Sequence, residues 1–313
     1  MKKIADLFPK ISPERRRELL TIPSFTDGPV EAVLDTDTFN EIDDQFAMSL
    51  AIRSPERLNM RAVIAAPFYN DRSEGPADGM EKSYQEILKL LQLLKGSPEN
   101  FAYRGSISYL PDAFTPVESE GARRIVELAK ECKAAGKVLY IMAIGAVTNV
   151  ASALLMAPEI IDSVVVVWLG GHAIQCNYND EFNLKQDIPA AQVLFESGVP
   201  LVWVPALGVS ELLMITLSEL ELRCKPLGEL GEFLYSRTFD YMHGRIWQQK
   251  VIWDISTILY LVKPEYTRSA LISSPILQDD KTWVSTEGRH EIRVMTWLNR
   301  WQCFDALFET LAK

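Results

Sequence analysis

Short apolar runs alternate with amphipathic segments along most of the chain. Five strand-like runs, at residues 30–34, 61–66, 138–144, 163–169 and 200–205, consist largely of β-branched and other apolar residues. The segments between them, at residues 42–52, 84–94, 148–156 and 192–196, have the apolar spacing of helices. Strands that alternate with helices predict an α/β fold, in which an open, mostly parallel, Rossmann-like sheet is flanked by helices.

The pattern changes after about residue 208. Residues 229–262 have mainly helical spacing, residues 271–277, 282–286 and 291–296 predict short strands, and residues 299–311 predict a closing helix. The sequence shows no internal repeat, low-complexity tract or linker. We therefore expect a single domain over residues 1–313 with a helical C-terminal part.

Composition narrows the choice of partners. The 313 residues carry a net charge of −10, which repels phosphate backbones and argues against nucleic acid as a partner. No apolar run follows the N-terminal lysines, and none reaches the roughly 20 residues that span a bilayer. These features predict a cytoplasmic protein without membrane contact, and they leave room for a divalent cation or an uncharged sugar.

The densest chemical signal is an acidic turn between the first predicted strand and helix. The segment DTDTFNEIDD, residues 35–44, contains Asp35, Asp37, Glu41, Asp43 and Asp44. Helix capping accounts for Asp43 and Asp44, but not for Asp35 and Asp37 at the mouth of an apolar strand. Because so many like charges are unfavourable without a cation, we predict a metal site. Oxygen ligands without a nearby histidine suit Ca²⁺ or Mg²⁺ rather than Zn²⁺.

Two enzyme families place acids at such a turn. The first motif of the haloacid dehalogenase-like phosphatases, D-x-D-x-T, is similar to residues 35–38. Asp35 would then be the nucleophile, Asp37 the acid and base, and Asp279 with Asp280 the distal ligands of Mg²⁺. The turn of the nucleoside hydrolases, D-x-D-(P-G)-x-D-D, also resembles residues 35–44, which have two extra residues and lack the Pro-Gly pair.

Three downstream segments resemble the nucleoside hydrolases in the order of that family. IGAVTN at residues 144–149 is similar to the x-G-x-L-T-N turn. Residues 170–191 resemble the pattern G-G…N…A-E-F-N…D-P-x-A-A, with Asp180 in place of alanine and the proline one position later. Asp254 lies in an apolar stretch, where the family has an acid at its metal site. The four motifs together make the sequence similar to the nucleoside hydrolases over about residues 30–265. The phosphatase hypothesis explains only the first of these motifs.

The resemblance implies a Ca²⁺-dependent enzyme that hydrolyses the N-glycosidic bond of a ribonucleoside or a related N-riboside to ribose and free base. Asp37 would be the general base, and Asp35 would support the turn. The implied metal ligands are Asp37, Asp44, the Ile144 carbonyl and Asp254. The implied substrate-binding residues are Asp43, Asn177, Glu181 and Asn183 on the ribose, with Asn40 and Trp253 beside them.

Three departures from the family pattern affect the side of the site that would face the base. The insertion places Asn40 and Glu41 beside the site. Pro67-Phe68 stands where the family often has Gly-Asn, so we expect Phe68 to offer an aromatic face to the base. Trp253 replaces a histidine, so it could stack on a base but could not protonate it. The histidines left for that role are His172 and His243.

Two other hypotheses stay open at this point. One is the Mg²⁺-dependent phosphatase, and the other is a catalytically silent calcium- and ribose-binding relative of the hydrolases. The resemblance also implies purine or pyrimidine salvage, a small-molecule nucleoside or N-riboside as the only other partner, and a homodimer or homotetramer.

Overall fold

Most strands of the computed structural model lie in one eight-stranded sheet, and the structure describes residues 3–24, 26, 28–176 and 178–313. The strands are β1 Val30–Thr36, β2 Leu58–Ala65, β3 Ala102–Arg104, β4 Leu139–Ala143, β5 Val164–Leu169, β6 Leu201–Val204, β7 Met214–Thr216, β8 Gln249–Val251, β9 Thr267–Ser273, β10 Ile276–Leu277, β11 Trp283–Val284 and β12 Glu291–Leu298. The helices are α1 Pro13–Leu19, α2 Asp44–Ile52, α3 Pro76–Leu93, α4 Glu120–Ala134, α5 Thr148–Met156, α6 Phe182–Gln186, α7 Ile188–Ser197, α8 Leu217–Arg223, α9 Gly228–Tyr241, α10 Ile255–Val262 and α11 Arg300–Leu311.

The large sheet has the strand order β3-β2-β1-β4-β5-β6-β12-β9. Neighbouring strands are parallel except for β9, which runs antiparallel to β12 at one edge. The chain moves outward from β1 to β3 and then returns to place β4 on the other side of β1. This reversal opens a crevice at the carboxyl ends of β1 and β4, which is the usual ligand position in such sheets.

Helices cover both faces of the sheet, and each face has its own apolar core. One core packs α2, α3, α9, α10 and α11 against the sheet, and the other packs α4, α5 and α7. The central strands β4 and β5 are fully buried, which explains their continuous apolar sequences. In the part of the chain that the structure describes, no helix has the length and apolar character needed to cross a membrane.

The predicted α/β fold with a mostly parallel sheet is confirmed, and several details differ from the sequence prediction. Residues 271–277 do not form one strand, because β9 ends at Ser273 and β10 begins at Ile276. The C-terminal part holds the predicted helices and also adds β9 and β12 to the main sheet. Short β3 and helix α4 were not predicted, although Ser119 caps α4 by accepting a hydrogen bond from the Ala122 N–H at 3.0 Å.

Candidate active site

The acidic turn lies at the carboxyl end of β1, where the strand order reverses. Its backbone is closed by a hydrogen bond from the Asn40 N–H to the Asp37 carbonyl, at 2.7 Å. The Thr36 hydroxyl donates to Asp44 Oδ1 at 2.5 Å, which ties the end of β1 to the first turn of α2. The turn therefore holds the side chains of residues 37, 43 and 44 at the crevice between β1 and β4.

Four carboxylates meet at this crevice although they come from distant parts of the chain. Asp43, Asp44 and Asp254 each place an oxygen within 4.8 Å of the others. Asp254 arrives there because α10 packs against α2, with Asp43 and Asp254 immediately preceding the two helices. Asp37 lines the same cavity, and its Oδ2 atom is buried without a hydrogen-bond partner among the described residues. The arrangement brings together all three acids that the sequence assigned to a metal.

Burial and mutual repulsion raise the pKa values of these four acids. Loss of solvent, followed by the charges of neighbouring acids, raises the pKa of Asp37 and of Asp254 well above its usual range. The same two causes raise the pKa of Asp44 to about 7. Burial also raises the pKa of Asp43, and the positive charge of Lys250, 3.9 Å from its Oδ1, partly opposes that rise. So much buried negative charge fits a divalent cation bound by oxygen ligands.

Gly145 allows β4 to end close to the acidic turn. A Cβ atom at this position would lie 3.0 Å from the carboxyl carbon of Asp37 and 3.1 Å from its Oδ1. Real Cβ atoms rarely make contacts this short, so a larger residue would displace the carboxylate. The glycine of the IGAVTN turn is thus required by the position of Asp37.

Asp35 has a separate, structural position behind the turn. It is fully buried, and its Oδ1 accepts a hydrogen bond from Asn149 Nδ2 at 2.8 Å. It does not line the carboxylate cavity, whereas Asp279 and Asp280 are exposed in the turn between β10 and β11. The phosphatase hypothesis needs all three beside one metal, so this geometry disfavours it.

The opposite wall of the cavity is built by the segments that follow β4 and β5. Asn183 Nδ2 donates to the carbonyls of Ile144, at 3.1 Å, and Leu169, at 3.0 Å. The Glu181 carboxylate accepts three backbone N–H groups at 2.7–2.9 Å and so caps α6. Ile144, Glu181 and Asn183 all line the cavity. Asn177, the remaining predicted ribose contact, lies outside the described residues.

The predicted residues on the base side do not all reach the cavity. Trp253 lines it, and its backbone N–H donates to Asp43 Oδ2 at 3.0 Å. Asn40 also lines it, and its Oδ1 accepts from Asn70 Nδ2 at 2.6 Å. Phe68 does not, because it is fully buried and packs against Gly79 of α3, so the expectation that it contacts the base was wrong.

The two candidate histidines occupy different places. His172 lines the carboxylate cavity opposite the acidic turn, and burial lowers its pKa, which favours the neutral ring. His243 lines a second, neighbouring cavity instead. His172 is therefore the histidine that could contact a ligand among the acids.

The carboxylate cavity has a volume of about 220 Å³ and adjoins a larger one of about 600 Å³, with Asn40 and Glu41 lining both. Cationic side chains of the larger cavity, which the sequence analysis did not identify, are Arg72, Arg237, Arg245 and Lys250. They come from separate segments, so no local sequence pattern could have joined them.

Comparison with known proteins decides between the two families. The family model described as inosine-uridine preferring nucleoside hydrolase matches residues 32–304. This chain belongs to the nucleoside hydrolase family. A curated relative, the pyrimidine-specific ribonucleoside hydrolase RihA of Salmonella paratyphi B, is 28% identical over 253 residues, which cover 71% of this chain and 77% of the relative. Family membership makes the protein a hydrolase, and it confirms the family predicted from the sequence.

Two solved nucleoside hydrolases show the same fold at lower sequence identity. The purine-preferring ribonucleoside hydrolase from Gardnerella vaginalis is 20% identical, with a TM-score of 0.73, and the match covers 90% of this chain and 98% of the other. The plant nucleoside hydrolase PpNRh1 is 19% identical, with a TM-score of 0.72, and coverage of 91% and 99%. The fold of the nucleoside hydrolases therefore extends over nearly the whole chain.

Proposed function

We propose that this protein is a Ca²⁺-dependent hydrolase that cleaves the N-glycosidic bond of a ribonucleoside or a related N-riboside. The observation that carries the proposal is the convergence of Asp37, Asp43, Asp44 and Asp254 on one small buried cavity. Without a cation their charges repel one another, and Lys250 alone cannot offset four acids. The curated and solved relatives named above differ in base preference, so they leave the aglycone open.

The proposed Ca²⁺ ligands are Asp37, Asp44, Asp254 and the Ile144 carbonyl. Ca²⁺ accepts six to eight oxygen ligands in flexible geometry, and when bound it would supply the positive charge that fixes ribose hydroxyls and makes water more acidic. The buried Oδ2 of Asp37, which lacks a hydrogen-bond partner in the described part of the chain, supports this ligand set. Asp43 places an oxygen within 4.8 Å of oxygens of Asp44 and Asp254, so its charge also contributes to the charge balance of the site even as a ribose ligand.

Asp37 is the proposed general base. Cleavage of the C1′–N bond passes through a sugar with positive character at C1′, and carboxylates promote this chemistry by activating water and stabilising that charge. Asp37 would accept the proton of the attacking water through an oxygen that no described residue engages. A nearby cation would keep the carboxylate ionised near neutral pH, because its positive charge opposes the burial and the repulsion that raise the pKa of Asp37.

Ribose binding is proposed for Asp43, Asn177, Glu181 and Asn183. Glu181 and Asn183 are held rigidly, because the carboxylate caps α6 and the amide bridges the carbonyls that follow β4 and β5. Such fixed polar groups position a sugar without further ordering when it binds. Trp253 and Asn40 lie on the proposed base side, where the indole offers an aromatic face but no titratable proton.

Release of ribose from uridine and inosine tests the proposal. We expect activity with Ca²⁺, loss of activity when a chelator removes it, and a smaller recovery with Mg²⁺, which demands octahedral geometry and fewer ligands. The phosphatase substrate p-nitrophenyl phosphate is the control and should not be hydrolysed. Chelator-resistant turnover would contradict the metal assignment, and ligand binding without turnover of any N-riboside would favour the silent relative.

We further propose that the enzyme is a homodimer or homotetramer, as the sequence resemblance implied. Light scattering during size-exclusion chromatography tests this, because a monomeric mass at micromolar concentration would contradict it.

A further inference from the structure

The larger cavity beside the carboxylates contains an unusual pair of arginines. Arg72 and Arg237 both approach the ring of Phe39, with guanidinium carbons 4.7 Å and 5.1 Å from its centroid. Both line the cavity of about 600 Å³. Phe39 belongs to the inserted part of the acidic turn, so the insertion brings two like charges to one aromatic ring.

The two arginines are not equally neutralised by the protein. Arg237 Nε lies 3.1 Å from Glu86 Oε1, which makes an ion pair. Arg72 donates from Nη1 to the Asn40 carbonyl at 3.2 Å, and none of the described acids forms an ion pair with it. Burial, followed by the charge of Arg237, lowers the pKa of Arg72, so its positive charge is held in an unfavourable place.

The remaining cation close to the acids is already compensated. Lys250 forms an ion pair with Glu41 and lies 3.9 Å from Asp43 Oδ1. Arg72 is thus the half-buried cation of this cavity that forms no ion pair with any described acid, and the charges of Glu86 and Glu41 only partly offset its burial. A purely structural cation–π contact to Phe39 would need only one arginine. An anion bound between Arg72 and Arg237 would relieve the repulsion between them.

The position of the cavity indicates which part of a substrate would reach it. Glu181 and Asn183, which the proposed function assigns to the ribose, lie on the wall built after β4 and β5. The larger cavity opens instead beside Asn40 and Glu41, on the acidic-turn side. Asn40, which the proposed function places on the base side, lines both cavities. A riboside bound among the carboxylates would therefore direct its aglycone toward the larger cavity, which Arg72 also lines.

We propose that the natural substrate is an N-riboside whose aglycone carries an anionic group, a carboxylate or a phosphate, and that Arg72 binds this group with help from Arg237. The inference rests on the proposed N-riboside hydrolase function and names its substrate class. Arginine suits both anions, because its planar guanidinium can donate two parallel hydrogen bonds to either.

A matched pair of substrates isolates the anionic group. Nicotinate riboside and nicotinamide riboside share the sugar and the pyridinium ring, and they differ in a carboxylate against a carboxamide. We expect the kcat/KM ratio of nicotinate to nicotinamide riboside to fall about 10- to 100-fold in Arg72→Gln, which is the usual contribution of a hydrogen bond to a charged group. Arg104→Gln is the control, because Arg104 also stacks on an aromatic ring, Tyr84 at 3.9 Å, but lies outside both cavities.

The result expected from the control is an unchanged ratio. If the wild type and Arg72→Gln show the same kcat/KM ratio for the two ribosides, the proposal of an anionic aglycone is wrong. Turnover of both ribosides would in that case still support the proposed hydrolase function. Uridine 5′-monophosphate against uridine tests the other end of the substrate. A preference for the 5′-phosphate that Arg72→Gln abolishes would overturn the assignment to the aglycone.

Binding distinguishes failure of the inference from failure of the proposed function. If neither riboside is cleaved, thermal unfolding with each riboside still measures recognition. Stabilisation by nicotinate riboside that exceeds stabilisation by nicotinamide riboside, and disappears in Arg72→Gln, would support the anion site in a protein without the proposed activity. If Arg72→Gln fails to fold, equal stabilisation of the wild type by both ribosides would still overturn the inference.

Discussion

Asp44→Asn removes one charge from the carboxylate cluster with almost no change of shape. In the metal-free protein, burial and Asp43 raise the pKa of Asp44 from 3.8 to about 7. One pKa unit corresponds to about 1.4 kcal/mol, so a rise of about three units destabilises the ionised protein by about 4 kcal/mol. An amide oxygen can still accept the hydrogen bond that the Thr36 hydroxyl now donates at 2.5 Å. After the desolvation of the new amide is allowed for, we expect Asp44→Asn to stabilise the metal-free protein at pH 8 by about 1–3 kcal/mol.

The pH dependence of this gain has a definite sign. The folded-state pKa lies above the unfolded value of 3.8, so the native protein binds the proton more tightly than the unfolded chain. The destabilisation of the wild type is therefore fully present above about pH 7 and disappears as the pH falls toward 3.8. The advantage of Asp44→Asn should shrink over the same interval.

In the presence of Ca²⁺ the wild type should be more stable than Asp44→Asn. A ligand at 100 times its Kd stabilises a protein by about 2.7 kcal/mol, and Asp44→Asn lacks one of the proposed ligands. Urea unfolding at pH 5.5 and pH 8, with chelator or with Ca²⁺, measures all four conditions. Asp280→Asn is the control, because Asp280 is exposed and does not line the cavity. A metal-free Asp44→Asn protein less stable than wild type at pH 8, or equal stabilisation of both by Ca²⁺, would refute this reasoning.

Three further predictions concern catalysis. Asp37→Asn should lower kcat for ribose release by roughly 10²-fold or more, because it removes the proposed base; near-normal turnover by a folded variant would exclude that role. Nitrophenyl riboside should be cleaved with a higher kcat/KM than inosine, because Trp253 cannot protonate a departing base; equal efficiency would point to His172 as the acid. Gly145→Ala should lower kcat at least about tenfold while circular dichroism stays unchanged, because the new Cβ would lie 3.0 Å from the Asp37 carboxyl carbon; unaltered kcat would mean that the turn relaxes freely.

The elements most visible in the sequence were those with a continuous local pattern. The prediction of helix 148–156 agrees with α5, and the closing helix differs from α11 only by the capping residue Asn299. The carboxylate cavity was also largely predictable, since Asp37, Asp44, Ile144 and Asp254 lie together as the motifs implied. The residues of these motifs belong to one site, so they lie together in the fold although long stretches of chain separate them.

Other parts of the site depend on tertiary packing and had no local signal. Phe68 follows β2, where a residue facing the crevice was expected, but it is fully buried against Gly79 of α3, where a Cβ atom would lie 2.0 Å from the Phe68 carbonyl oxygen and 2.9 Å from its ring. Lys250, on short β8, reaches Glu41 across 209 residues of sequence. Neither position could be inferred from spacing, since each is fixed by which elements pack together.

The two extra residues of the acidic turn connect these observations. The turn keeps the family acids Asp37, Asp43 and Asp44 at one cavity, so the insertion leaves the proposed ribose and metal positions in place. Residues of the longer turn contact the cations of the larger cavity. The guanidinium groups of Arg72 and Arg237 approach the ring of Phe39, and Glu41 forms an ion pair with Lys250. Asn40 and Glu41 of the inserted part line both cavities, so the insertion shapes the wall that the two cavities share. It follows that this chain is expected to differ from its relatives in the aglycone it accepts rather than in the bond it cleaves.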